Sequence, residues 1–161
     1  MHARAAALIA DLGLAAHPEG GWYREVFRSE LRVGTSDDRQ QRFALTTIDF
    51  LLSDLDFSAW HRVRSDEAWH LLEGGPLRLW LCPPGLGSLQ RVELGAVSAG
   101  RTPRHVVPAG WWQAAEPLGP FAYAGATVGP GFDFADFSFG RNDPDLVAAL
   151  TTIDPQALRL L

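Results

Sequence analysis

Two histidines and several carboxylates stand close together in SAWHRVRSDEAWHLLEGG, residues 58–75. Imidazole beside carboxylate supports three kinds of site: a metal centre, a proton-transfer pair, or a polar contact that only satisfies itself inside a core. The runs SAWHRV and EAWHLLEG alternate as strands do, and residues two apart on a strand share a face. His61 then shares a face with Val63, and Glu67 with Trp69 and Leu71. With Glu67 pointing inward beside His61, His70 points outward, so the two histidines do not hold one ion unless a bulge intervenes. His61 and Glu67 are therefore the candidate catalytic pair. A carboxylate near an imidazole raises its pKa and fixes its tautomer, which suits proton transfer near neutral pH.

A frame must hold such a pair in place, and the rest of the chain reads as one. RAAALIADLGL has helical spacing and stops at Gly13, and HPEGG reads as a turn. Short apolar or alternating runs follow: WYREVFRSEL, FALTTIDFLLS, SAWHRV, EAWHLLEG, LRLWLC, QRVELG, RHVVPAG, FAYAGATVGPG and FDFADFSFG. Turns rich in Gly, Pro, Asp and Ser separate them, a pattern of antiparallel sandwiches and barrels. The tail DPDLVAALTTIDPQALRLL returns to helical spacing, with Asp143 as cap ahead of Pro144. The expectation is one all-β domain over residues 1–161 with short helices at both ends.

Two further motifs carry a family resemblance. The first motif of the cupin superfamily runs His-x-His, then Glu, then Gly. HRVRSDEAWHLLEGG supplies His61, Glu67 and Gly74 at that spacing, with Val63 where the second histidine would stand. The second motif, Pro-x-Gly-x-x-His, is similar to PAGWWQ, with Pro108, Gly110, and Gln113 in place of the histidine. HPEGGWYREVFRS, FSAWHRVRSDEAWH, VPAGWWQAA and GATVGPGFDFADF together resemble the cupin subfamily Cupin_5 (DUF985), from about residue 17 to 140.

The resemblance implies a double-stranded β-helix, the RmlC-like jelly-roll barrel, often a homodimer, with one pocket near His61, Glu67 and Gln113. It also implies a metal on those three residues. A full cupin centre offers three imidazoles and a carboxylate, whereas this chain offers one imidazole, one carboxylate and an amide. The expectation is a weakly bound divalent metal or none. Without metal, His61 and Glu67 act as acid and base, and Gln113 anchors a substrate carbonyl or hydroxyl.

Other residues are candidates on their own chemistry. Asp49 interrupts an apolar strand, where the subfamily pattern carries an aromatic residue. It is read either as exposed at an edge or as a second catalytic carboxylate facing the cavity. Arg24 could clamp an anionic substrate, with Tyr23 beside it, or pair with a neighbour such as Glu25. Trp69 shares the parity of Glu67 and is the indole expected at the pocket. Asp133 and Asp136 have opposite strand parity and read as turn or surface groups. His2, His17 and His105 have no neighbours in sequence that suggest chemistry. Cys82, the one cysteine, ends an apolar strand and reads as buried and inert.

Composition narrows the function. The net charge of −5 argues against nucleic acid, which needs clustered basic residues. No lysine is present, which removes Schiff-base chemistry. The N-terminal apolar run is short and broken by Asp11, so neither a signal peptide nor a membrane span is expected, and the cytoplasm is the default. The function expected is an enzyme on a small polar molecule, sugar-like or an oxo-acid. Epimerase, isomerase or lyase chemistry is read ahead of a non-catalytic binding module and a metal-dependent enzyme.

Overall fold

A computed structural model describes residues 1–161. The chain opens with α1 (Ala3–Leu12), ended by Gly13 in the left-handed region at φ 64°. Strands β1 (Ala15–Ala16) and β2 (Trp22–Arg28) follow, then the small hairpin of β3 (Arg32–Val33) and β4 (Arg42–Phe43). Next come β5 (Thr46–Ser53), β6 (Ser58–Val63), β7 (Asp66–Gly74), β8 (Leu77–Cys82) and β9 (Gln90–Leu94). The strands continue with β10 (Arg101–Thr102), β11 (Arg104–Val107), β12 (Trp112–Pro117), β13 (Phe121–Gly129) and β14 (Phe137–Phe139). Helix α2 (Pro144–Ile153) and a 3-10 stretch (Pro155–Leu160) follow. The Asp143 side chain accepts from Leu146 N and Pro144 sits in the first turn, the cap that the tail predicts. No helix is long and apolar enough to cross a membrane.

Two six-stranded sheets pack face to face, ordered β1-β2-β5-β13-β7-β11 and β10-β9-β8-β12-β6-β14. This is the all-β jelly-roll barrel with short terminal helices that the sequence predicts. Alternation explains the core. Phe50, Leu52, Trp69, Ala122 and Ala124 look inward from the first sheet and meet Leu77, Leu79, Leu81, Leu94 and Ala115 from the second. Each buried leucine contributes about 1.5–3 kcal/mol. The outer rows are covered as well. Trp60, Trp80, Cys82 and Trp112 lie under Leu146 and Leu150 of α2, and Leu51 and Phe121 lie under Ala5 and Leu8 of α1.

One strand expectation is corrected. FDFADFSFG reads as a strand, but Phe134–Asp136 form a 3-10 turn before the short β14. The Asp133 side chain starts that turn by accepting from Ala135 N, so strand parity does not apply here. Asp136, expected at a turn or surface, is buried and bonded to Arg39 and Arg42.

Along the inward rows, apolar core gives way to polar groups at one end of the barrel. Ile48 and Thr46 continue the row of Phe50, Ala126 and Val128 continue that of Ala124, and Glu67 continues that of Trp69.

Candidate active site

At this end the sheets enclose a cavity of ≈ 50 Å³. Drug-sized sites measure roughly 300–1,000 Å³, so this one suits a few waters or a molecule of a few heavy atoms. His17, Glu19, His61 and Glu67, with Glu25 and Thr46, supply its polar wall, and Ile48, Val63, Ala126, Val128, Phe132 and Phe137 its apolar one.

His61 is fully inside, stacked on Phe137 with ring centroids 5.4 Å apart. Its Nδ1 lies 2.8 Å from the Ala59 carbonyl oxygen. A carbonyl only accepts, so in the neutral ring Nδ1 carries the hydrogen and Nε2 carries the lone pair. Glu19 Oε2 stands 3.2 Å from the same Nδ1. His17 is the reverse case. Its Nδ1 accepts from the Glu19 backbone N–H at 3.2 Å, which puts the neutral ring's hydrogen on Nε2. The two rings are thus held in opposite tautomers, one a base and one a donor.

The turn before β2 delivers His17 and Glu19. His17 N donates to Gly21 O at 2.9 Å, and Ala59 N donates to Glu19 O at 2.8 Å, which ties the turn to β6. Gly20 has φ 108°, and a Cβ there would come within 2.1 Å of the Phe57 carbonyl oxygen. Only glycine permits that approach. HPEGG is indeed a turn, but His17 has chemical neighbours after all, brought to it by β6 and β7. Glu19 was not anticipated in the sequence. Its one local signal is a carboxylate set between Pro18 and the Gly20–Gly21 pair that bends the chain inward.

Burial sets the electrostatics. It pushes Glu19 up to about 8, tempered by the Ser58 hydroxyl, which meets hydrogen-bond geometry toward no group. It pushes Glu67 up to about 7, with His61 and the Gln113 amide pulling down and Glu19 pushing up. His17 is pushed down to about 4 by burial and by His61. His61 is also lowered, because burial outweighs the attraction of Glu67 and the Ala59 carbonyl. This reverses the sequence expectation of a raised histidine pKa. That expectation assumed a charged carboxylate, and these carboxyls lean to the neutral form.

The structure brings His61 and Glu67 to one cavity and moves other candidates away. Gln113 lies opposite His61 in the sheet, but its amide is turned to other side chains: Nε2 donates to Glu67 Oε2 at 2.5 Å and Oε1 accepts from Trp69 Nε1 at 2.9 Å. It orients Glu67 and does not line the cavity. Trp69, expected at the pocket, is packed in the core and holds Gln113. His70 lies on the face away from Glu67 and the cavity, as alternation predicts.

Asp49 and Arg24 are corrected too. They sit opposite each other across β2 and β5, on the face away from Thr46, Ile48 and Phe50. Arg24 Nε donates to Asp49 Oδ2 at 2.8 Å and its Nη1 to Leu12 O at 3.0 Å, while the Tyr123 hydroxyl donates to Asp49 Oδ1. Neither residue lines the cavity, so Asp49 is not placed to act as a base there, nor Arg24 to clamp a substrate in it. Tyr23 points inward and packs edge-on to His17 at 4.4 Å, which steadies that ring without lining the cavity. Glu25, two residues on from Tyr23 and opposite Ile48, takes the cavity side by alternation, at a wall shared with Phe132.

The metal expectation meets the same geometry. Val63 fills the second ligand position, Gln113 turns its amide to Glu67 and Trp69 and does not line the cavity, and no three His, Cys, Asp or Glu side chains stand in ligating geometry. His61, Glu67 and Gln113 do not form a metal centre here.

The family model described as Cupin superfamily (DUF985) matches residues 6–140. A solved hypothetical protein from Leishmania major is 29% identical with a TM-score of 0.80, covering 92% of this chain and 97% of that one. A solved protein from Shewanella oneidensis is 31% identical with a TM-score of 0.78, covering 96% of this chain and 94% of that one. An oxalate decarboxylase from Bacillus subtilis is 14% identical with a TM-score of 0.57, over 91% of this chain and 36% of that one, a likeness of fold alone. No curated protein matches the sequence. With its family match, its two-sheet barrel and a pocket built from the degraded first motif, this chain belongs to the Cupin_5 (DUF985) family of the cupin superfamily.

Proposed function

We propose that the protein is an enzyme that moves protons on a small polar carbonyl compound, as an epimerase, isomerase or lyase. One observation carries this reading: the Ala59 carbonyl commits His61 Nδ1, leaving Nε2 as a base in a cavity shared with two buried carboxyls of raised pKa. His61 Nε2 takes a proton from the carbon next to the carbonyl. The His17 Nε2–H and the neutral Glu19 carboxyl donate to the oxygen on which charge develops. Glu67, poised near neutral pH and oriented by Gln113, gives or takes the returning proton. Returning it to the other face of the same carbon yields an epimer, returning it to the former carbonyl carbon yields an isomer, and expelling a neighbouring group yields elimination.

The test is solvent exchange. Glyceraldehyde, dihydroxyacetone, pyruvate and pyruvamide are incubated with the protein in D₂O and followed by proton NMR. Loss of the signal next to a carbonyl is expected with the wild type and not with His61→Ala. Probes that bind without exchanging would instead support a non-catalytic binding module. Equal exchange in both proteins would reject His61 as the base.

A further inference from the structure

The cavity has carboxyl and imidazole groups in its wall but no guanidinium or ammonium. The chain has no lysine, and the arginines around this end are engaged elsewhere. Arg28 gives Nη2 to Glu25 Oε2 at 2.6 Å and Nη1 to the Phe132 carbonyl at 3.2 Å. Arg39 and Arg42 are held by Asp136, and Arg24 lies on the outer face with Asp49. An anion entering this space would lose its hydration, gain no cationic partner, and stand beside Glu19, Glu25 and Glu67. A hydroxyl or carbonyl, by contrast, meets donors and acceptors: the His17 Nε2–H, the His61 Nε2 lone pair and the two deep carboxyls.

Resting on the proton-transfer reading of this same site, we infer that the substrate is a small uncharged hydroxy-carbonyl compound and that carboxylates and phosphates are refused. This separates the sugar-like substrates from the oxo-acids that the sequence left side by side. The narrow cavity agrees, since it leaves no room for a phosphate or nucleotide appendage to sit inside. Glu25 and Arg28 make the rule adjustable. Their ion pair occupies a guanidinium that is anchored on the carbonyl of Phe132, a residue of the cavity wall, as Glu25 itself is.

The experiment compares matched pairs by saturation-transfer NMR at pH 7.5: pyruvamide against pyruvate, and glyceraldehyde against glycerate. The uncharged member of each pair is expected to bind at least about tenfold tighter. Glu25→Gln releases Arg28 and is expected to shift that ratio toward the anion by roughly three- to tenfold. An anion that binds the wild type as well as its uncharged partner overturns the inference. So does failure of both uncharged probes to bind, or a ratio that Glu25→Gln leaves unmoved. Binding is read apart from exchange, so the two readings fail separately. Uncharged probes that bind without exchanging sink proton transfer and leave the charge rule standing. Anions that bind and exchange do the opposite.

Discussion

Two groups of carboxylates lie buried at the same end of this barrel, and they are in opposite electrostatic states. Asp136 faces Arg42 at 2.9 Å and Arg39 at 3.1 Å. Burial pushes its pKa up, but the hydrogen bonds from Arg42 and Arg39 outweigh this and hold it below its ordinary value. Glu19 and Glu67 are as little exposed to solvent but lie deeper among protein atoms and have no cation, and their pKa values rise instead. The first group is a clamp. It ties β4 and the segment before it to the turn between Phe132 and Phe137, two walls of the cavity. The second is a proton reservoir, open to whatever enters. Partner supply, acting together with depth, separates the carboxylate that stays charged from those that gain a proton.

The largest test of this contrast is His61→Ala. A general base contributes about 10²–10⁴-fold, so solvent exchange falls by that order while the far-UV circular dichroism stays native. A variant with wild-type exchange would place the base elsewhere in the reservoir.

Next in size is Asp136→Asn, which leaves two guanidiniums sharing a neutral amide. The thermal midpoint is expected to drop by several degrees at pH 7. The same isosteric change in the reservoir, Glu19→Gln, is expected to stabilise the protein at pH 8.5 by on the order of 2 kcal/mol, because it removes a buried group forced to ionise. Equal signs for the two substitutions would erase the distinction.

The pH dependence sharpens it further. Glu19 and Glu67 hold protons in the folded state that the unfolded chain releases near its ordinary 4.5, so their contribution falls as pH rises toward about 8. His17, lowered from 6.5 to about 4, works the other way and is finished by pH 6.5. Between pH 6.5 and 8 only the carboxyls still act, and the thermal midpoint of the wild type falls across that window. Glu19→Gln flattens the slope, which differential scanning calorimetry reads directly.

The smallest effect belongs to Asp49→Asn. With Asp49 on the outer face, partly screened by solvent, exchange stays within about twofold and stability drops by roughly 0.5–1 kcal/mol. A collapse of exchange in this variant would return Asp49 to the site.

How far the sequence could be read follows the range of the forces involved. Alternation placed Glu67 and Trp69 on one face and His70 on the other, and Gly13, Asp143 and Pro144 marked the helix ends, because these depend on near neighbours. The side taken by Asp49 was not legible. β5 is apolar on both faces, since α1 covers its outer row while the core takes its inner one, so alternation has no contrast to use. Asp136 does stand in a turn, but its burial was not legible, because the arginines that hold it come from residues 39 and 42, far away in sequence.

The amino-acid sequence alone determined most of the strands, the caps, the lack of lysine chemistry and the presence of His61 and Glu67 within one eroded motif, all matters of local pattern and residue type. Tertiary structure decided that Glu19 and His17 join them, that Gln113 is consumed as a bracket, and which carboxyls keep their protons. Those outcomes depend on the water and partner charges left around each group once distant strands close over it, and no window of neighbouring residues contains that information.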